Sequence, residues 1–204
     1  MIDHKDSAEL EMEKEQSLAD KNVKNVAYQI LLSIEQNNLR FCLKHSFTML
    51  CELLTEKLNS KYYFQLYKSI FDELKKIEVF MQEEIDRGRL PEEIYESVLQ
   101  CRLVIPRLYL AILSGGLYIK NEPKKWREIA TELLELSKES QNPLRGVFTR
   151  YFLLQIMRDK LPEKDNIYVK EEGGTFKETL YFLLQNFVFR GTFFCIFYKS
   201  YIEI

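Results

Sequence analysis

Residues that interrupt helices are scarce in this sequence and lie far apart. Its 204 residues contain only seven glycines and five prolines. A β-rich fold of this size would need many tight turns, which usually place glycine, proline or asparagine at fixed positions. The long segments between these residues favour helices instead, and the chain is long enough to bury a substantial core. We predict an all-α fold.

Apolar residues recur at helical spacing within these segments. The longest stripe consists of Tyr63, Leu66, Ile70, Leu74, Ile77 and Met81. Two earlier stripes consist of Val23, Val26, Ile30 and Ile34, and of Leu39, Leu43, Phe47, Leu50 and Leu54. Asn37 and Asn38 separate these two, which indicates two helices joined by a short turn.

Helix ends carry recognisable signals. Ser60 is expected to cap the third helix at its N-terminus, and Gly88 to end it in a left-handed conformation. Proline is favoured in the first helical turn, so the following residues are predicted to open further helices: Pro91, Pro123 and Pro143. Two of these helices are expected over residues 123–139 and 143–160, the second with Asn142 as its N-terminal cap. A polar loop over 165–174 and a last helix from Thr175 are predicted to follow.

Short connections between consecutive helices make neighbours antiparallel. Hairpins of about 40 residues then suggest an α-solenoid of HEAT-like type, with a compact helical bundle as the alternative. We divide the chain into three parts. Residues 1–20 are a charged N-terminal extension, read as a solvated or frayed helix start. Residues 21–188 form the solenoid, and residues 189–204 form an aromatic-rich tail.

The sequence shows no pattern that would bring catalytic groups together. His4 and His45 have no orienting neighbour, and the four cysteines show no metal-ligand spacing. The glycine pair at Gly115 and Gly116 lacks the lysine and hydroxyl of a phosphate-binding loop, so we expect it to permit close helix packing. We predict that the protein is not an enzyme and has no cofactor or metal site.

Charges are mixed along the chain, and the net charge is −2. Nucleic acid is not an expected partner, because a concentrated basic face is absent and the aromatic residues recur at the helical spacing of a core. The first residues are charged and lack the apolar region of a secretory signal. We therefore expect a cytoplasmic location, with the cysteines as free thiols.

Pro106 lies inside an apolar run that spans residues 103–113. A proline within a helix removes a hydrogen bond and crowds the carbonyl four residues earlier, here that of Arg102. This predicts a kink or break near Ile105. Arg107 next to apolar residues at a break suits an interface, since arginine is a common anchor of interfaces. Alternatively, Pro106 begins a new helix and Arg107 is a surface charge.

Three blocks of the sequence are distinctive. Residues 62–67 read YYFQLY with DEL at 72–74, residues 105–110 read IPRLYL, and residues 142–155 read NPLRGVFTRYFLLQ. In order and spacing they resemble the N-terminal part of the vacuolar protein sorting 35 family, the large α-solenoid subunit of retromer. The resemblance runs from about residue 15 to about residue 188.

The resemblance implies a scaffold in endosomal sorting and retrograde transport, cytoplasmic and peripheral on the endosome membrane through its partners. It implies that the Pro-Arg-Leu-Tyr-Leu segment binds the arrestin-like retromer subunit, with a charge-assisted contact from the arginine. The implied docking residues are Pro106, Arg107, Leu108, Tyr109 and Leu110. A sorting nexin and the late-endosomal Rab GTPase are further expected partners. The block around Arg145 is expected to support the fold, with tight helix packing at Gly146.

The sequence departs from the family pattern at Phe189. The family's chain is several times longer, and the tail over 189–204 does not continue its helix. Three origins remain open: a truncated gene, retained intron or shifted frame; a tail that recruits a different partner; and a C-terminal membrane anchor. In the last case the chain would associate with membranes through residues 187–204, although Arg190 inside the span would cost about 3 kcal/mol.

Overall fold

A computed structural model of the protein describes residues 3–161. Within this range the chain forms seven α-helices and two 3₁₀ turns, and it contains no strand. The helices are α1 (Asp3–Glu35), α2 (Leu39–Leu50), α3 (Ser60–Asp86), α4 (Pro91–Leu99), α5 (Val104–Asn121), α6 (Trp126–Ser137) and α7 (Pro143–Lys160). One 3₁₀ turn follows α2 (Cys51–Leu54) and the other precedes α6 (Pro123–Lys125). The predicted all-α fold is confirmed.

Local signals set several helix ends as the sequence predicts. Asn142 caps α7, since its side-chain oxygen accepts the backbone N–H of Arg145 at 3.2 Å, and Pro143 is the first helical residue. Gly88 has a φ of +103°, and this left-handed conformation follows the end of α3. These ends need no tertiary contact, because each signal lies within four residues of the groups that it satisfies.

Two predicted ends differ from the structure. Asn59, and not Ser60, caps α3, because its backbone is extended and its side-chain oxygen accepts the Tyr62 N–H at 3.1 Å. The helix predicted over residues 123–139 consists of the Pro123–Lys125 3₁₀ turn followed by α6. Proline fixes φ at a value that suits a 3₁₀ turn as well as an α-helix, so its presence does not distinguish the two.

Helices α3, α5 and α7 run in the same direction, so the helices between them, which short connectors join, run back antiparallel. Asn22 of α1 donates to Glu52, which follows α2, at 3.3 Å, so these two segments fold back on one another. Along each pair of these helices, later residues of one helix contact later residues of the other. The contacting pairs are Tyr67–Tyr109 and then Gln82–Asn121 between α3 and α5, and Phe71–Phe152 and then Glu78–Lys160 between α3 and α7. The predicted stack of antiparallel hairpins is therefore confirmed.

Helix α5 occupies the centre of the core. It packs against α2, α3, α4, α6 and α7. From Ile105 to Ile119, every residue except Arg107 is buried. The one serine in this stretch, Ser114, returns its hydroxyl to the Leu110 carbonyl at 2.8 Å. A helix that is apolar on all sides must be covered on all sides, and the surrounding helices provide that cover.

The two glycines of α5 allow this close packing. A Cβ added to Gly115 would lie 2.9 Å from Leu133 Cδ1 of α6, and a Cβ added to Gly116 would lie 2.5 Å from Ile156 Cγ2 of α7. Such distances are shorter than carbon–carbon contact. The expectation that this pair permits close helix approach is confirmed.

Helix α3 presents its predicted apolar stripe to the core without exception. The stripe residues Tyr63, Leu66, Ile70, Leu74, Ile77 and Met81 are each at most 1% exposed. Burying a side chain of this size stabilises a fold by roughly 1.5–3 kcal/mol. The helical period alone therefore identifies which face of α3 is buried.

Some predicted features fall beyond the described part of the chain. These are the loop over residues 165–174, the helix from Thr175 and the tail over 189–204. Among the helices of residues 3–161, none has the length and apolar character needed to cross a membrane.

Replacing Gly116 by alanine tests the close contact between α5 and α7. We expect the free energy of unfolding to fall by about 1–3 kcal/mol, because the new Cβ overlaps a stiff β-branched side chain. Gly146→Ala is the matched control, since its Cβ would meet nothing closer than 3.6 Å. Alanine there should leave stability unchanged or raise it by up to about 1 kcal/mol. Urea unfolding measures both, and equal effects would contradict the packing described.

Candidate partner-binding surface at the start of helix α5

Pro106 lies in the first turn of α5, as its third residue. The helix begins at Val104, after a connector over residues 100–103, so the proline interrupts no helix. The N–H groups of a first turn have no intrahelical acceptor, and Arg102 precedes the helix, so the missing donor and the ring cost little here. The predicted interruption near Ile105 is therefore a break between α4 and α5, and not a kink within one helix. The alternative, that Pro106 begins a new helix, is correct.

Four of the five predicted docking residues lie in the core. Pro106 is buried, and Leu108, Tyr109 and Leu110 are at most 1% exposed. The Tyr109 ring lies 5.1 Å from that of Phe152, and burial raises the pKa of its hydroxyl well above the usual value. In this conformation these four side chains hold α5 against its neighbours. Their direct contact with a partner stays a prediction.

Arg107 is the exception within the segment. Its side chain is 22% exposed, and its Nη2 forms an ion pair with Glu139, which lies just after α6. Its Nε is buried without a hydrogen-bond partner among the described residues, and it is not accessible to another chain. A guanidinium has four N–H donors on its two Nη nitrogens, so pairing with one carboxylate leaves Nη donors for a second acceptor. Arg107 therefore combines a fixed position in the first turn with unused hydrogen-bonding capacity.

Exposed residues of the connector lie beside Arg107 in the chain. Arg102 is exposed, and Leu103 is 42% exposed although it is a large apolar side chain. We call Arg102, Leu103, Arg107 and Glu139 the α5 start surface. An arginine next to an exposed leucine is typical of the anchoring part of a protein interface. The sequence prediction missed Leu103, which could have been found as the residue preceding the helix, and Glu139, which is 32 residues from Arg107.

An aromatic cluster between α3, α5 and α7 includes Tyr109, two residues after Arg107. Its rings have centroids 5.0–6.3 Å apart, a range in which aromatic pairs attract. The members are Tyr63, Tyr67, Phe71, Tyr109, Phe148 and Phe152. Burial raises the pKa of Tyr63 and Tyr67, so these hydroxyls stay neutral. The aromatic residues of this region belong to the core.

Comparison with known proteins identifies the family. The model of the family described as vacuolar protein sorting-associated protein 35 matches residues 17–189. This chain belongs to that family. The resemblance drawn from the three sequence blocks is confirmed. The division of the chain at residues 20 and 188 stays a prediction.

Relatives of the vacuolar protein sorting-associated protein 35 family occur in distant organisms. Protein 35A of Arabidopsis thaliana is 42% identical over 164 residues, which cover 80% of this chain. The Dictyostelium discoideum protein is 34% identical over 169 residues, or 83% of the chain. The Schizosaccharomyces pombe protein is 31% identical over 144 residues, or 68%. The chain spans about a fifth of these relatives' length: 21% of the first two and 17% of the third.

The family block at residues 142–155 contains a structural arginine. Arg145 Nη2 donates to the Leu54 carbonyl and, at 3.2 Å, to the Thr55 carbonyl, so it joins the start of α7 to the connector after α2. This supports the expected structural role. The tight packing predicted at Gly146 is wrong, because a Cβ there would lie 3.6 Å from the Ser140 carbonyl oxygen, an ordinary contact distance.

Titratable groups elsewhere in residues 3–161 are scattered. His45 stacks on Phe41 with ring centroids 6.4 Å apart. Cys42 is buried, which raises the pKa of its thiol to about 11, and Cys51 and Cys101 are half-buried and free. In this part of the chain no group of three histidine, cysteine, aspartate or glutamate side chains could hold a metal ion.

Replacing Arg145 by alanine tests its structural role. We expect the free energy of unfolding to fall by about 1–3 kcal/mol, since two backbone carbonyls lose a charged donor. Arg158→Ala is the control, because that side chain is 70% exposed and pairs with its neighbour Asp159. The control should change stability by no more than about 0.5 kcal/mol. Chemical denaturation measures both, and equal stability of the two variants would refute the role of Arg145.

Proposed function

We propose that this protein acts as a scaffold in the retromer complex, in endosomal protein sorting and retrograde transport, without catalysing a reaction. Membership of the vacuolar protein sorting-associated protein 35 family supports the proposal. The architecture also supports it, because stacked helical hairpins present extended surfaces to partners and need no enclosed site.

The proposed partner at the α5 start surface is the arrestin-like retromer subunit. The observation that carries this assignment is the exposure pattern of the Pro-Arg-Leu-Tyr-Leu segment. Arg107 reaches the surface while the other four residues are buried. Arg107 is therefore assigned the charged contact, and Pro106 together with residues 108–110 is assigned the task of holding α5 in place. Arginine suits this role because its planar fork can bind a carboxylate through two hydrogen bonds.

The remaining partners rest on the family resemblance alone. They are a sorting nexin and the late-endosomal Rab GTPase. Through such partners the chain would lie in the cytoplasm and associate peripherally with the endosome membrane.

Replacing Arg107 by alanine tests the docking assignment. We expect binding of the purified arrestin-like subunit, measured by isothermal titration calorimetry, to weaken by about tenfold or more, as for an anchoring arginine. The variant should remain folded, because the lost Glu139 pair is partly exposed and such pairs contribute little to stability.

Arg158→Ala is the matched control for this measurement, since it removes an exposed arginine from another helix. It should bind as the wild type does. Circular dichroism and urea unfolding establish that both variants are folded. Undiminished binding by folded Arg107→Ala would overturn the assignment of the site.

A further inference from the structure

The two members of the Arg107–Glu139 ion pair are held differently. Arg107 belongs to the first turn of α5, and its backbone N–H donates to the Leu103 carbonyl at 3.1 Å. Glu139 lies in the connector after α6, where its N–H donates to the Leu136 carbonyl at 3.0 Å. The glutamate side chain is 40% exposed, against 22% for the arginine. Moving the Glu139 carboxylate out of this pair would therefore disturb the fold less than moving the Arg107 side chain.

The arginine is only partly used by this pair. Glu139 is bound through Nη2 alone, and Nε is buried, so the two Nη nitrogens are the donors that another chain can reach. The edge of a guanidinium that carries its two Nη nitrogens can bind a carboxylate through two parallel hydrogen bonds. A single bond to a half-exposed glutamate is a weaker arrangement, because solvent screens it. A second carboxylate that reaches this edge would make the better contact.

The composition of the surface indicates what would bring that carboxylate. Arg102 and Arg107 carry two positive charges, and Glu139 carries one negative charge. Leu103 adds an apolar side chain that is 42% exposed. The complementary partner surface therefore has an acidic residue for Arg107 and an apolar residue for Leu103.

We infer that the α5 start surface binds a carboxylate side chain of its partner, flanked by an apolar residue against Leu103, and that Glu139 holds Arg107 in place of that carboxylate in the free protein. The inference rests on the proposed docking of the arrestin-like subunit. Glu139 opposes binding in two ways, because it neutralises Arg107 and repels the incoming negative charge. A residue that lowers the affinity for acidic partners also raises selectivity, since only a well-placed carboxylate displaces it.

Replacing Glu139 by glutamine tests the inference. The amide keeps the size of the side chain and removes its charge. We expect the affinity for the purified arrestin-like subunit to rise about two- to fivefold, the range that corresponds to an exposed ion pair. The gain should shrink at high salt, because salt screens the charges involved. Isothermal titration calorimetry at low and high salt measures both effects.

Glu135→Gln is the matched control, because Glu135 lies one turn earlier, is 65% exposed and pairs with Lys138 at 2.6 Å. It should bind as the wild type does. Leu103→Ser should weaken binding in both the wild-type and the Glu139→Gln backgrounds. In the Arg107→Ala background, Glu139→Gln should give a smaller gain than in the wild type, since only the repulsion of the incoming charge is then relieved.

The outcomes separate this inference from the proposed function. If Arg107→Ala weakens binding but Glu139→Gln leaves it unchanged or weakens it too, the docking site stands and the competitor role of Glu139 is wrong. If folded Arg107→Ala binds undiminished, the docking site itself is wrong and the inference falls with it. An equal gain from Glu135→Gln would also overturn the inference, because it would show a general charge effect.

Discussion

The burial of α5 is the constraint on which the rest of the structure depends. This helix has no polar face, so it must be covered on every side before the chain gains stability. Gly115 and Gly116 allow α6 and α7 to approach its backbone. Aromatic rings of α3 and α7 cover the opposite part, where Tyr109 lies among them. The positions of the neighbouring helices thus follow from the need to enclose one apolar helix closely.

The same constraint determines where the candidate site can lie. A helix that is buried along its length reaches solvent only near its ends, and the first turn of α5 is one such place. Pro106 suits that turn, because its ring fixes φ at a helical value and its missing N–H is not needed. Leu108 and Leu110 anchor the turn in the core. Arg107 is consequently held at a fixed position on the surface, as effective recognition by a charged group requires.

The Pro-Arg-Leu-Tyr-Leu segment therefore combines two physical roles. Its apolar residues contribute packing, and its arginine contributes a directional charged contact. The motif alone does not show which residue has which role, because the position of the arginine on the surface depends on the packing of its buried neighbours. Burial separates them, and it leaves Arg107 as the residue through which a partner can be recognised in this conformation. In the free chain the Arg107 guanidinium already pairs with the Glu139 carboxylate.

The sequence by itself determined the helical fold class, the buried face of α3, the caps at Asn142 and Gly88 and the family. These signals are local: a helical period, or a cap within four residues of the backbone group that it satisfies. Tertiary structure decided the rest. It placed Pro106 in the first turn of a helix, brought α6 and α7 to Gly115 and Gly116 and left Gly146 in ordinary contact. It also brought Glu139 to Arg107 across 32 residues. Such outcomes depend on which distant segments meet, and helical spacing does not specify how neighbouring helices are placed against each other.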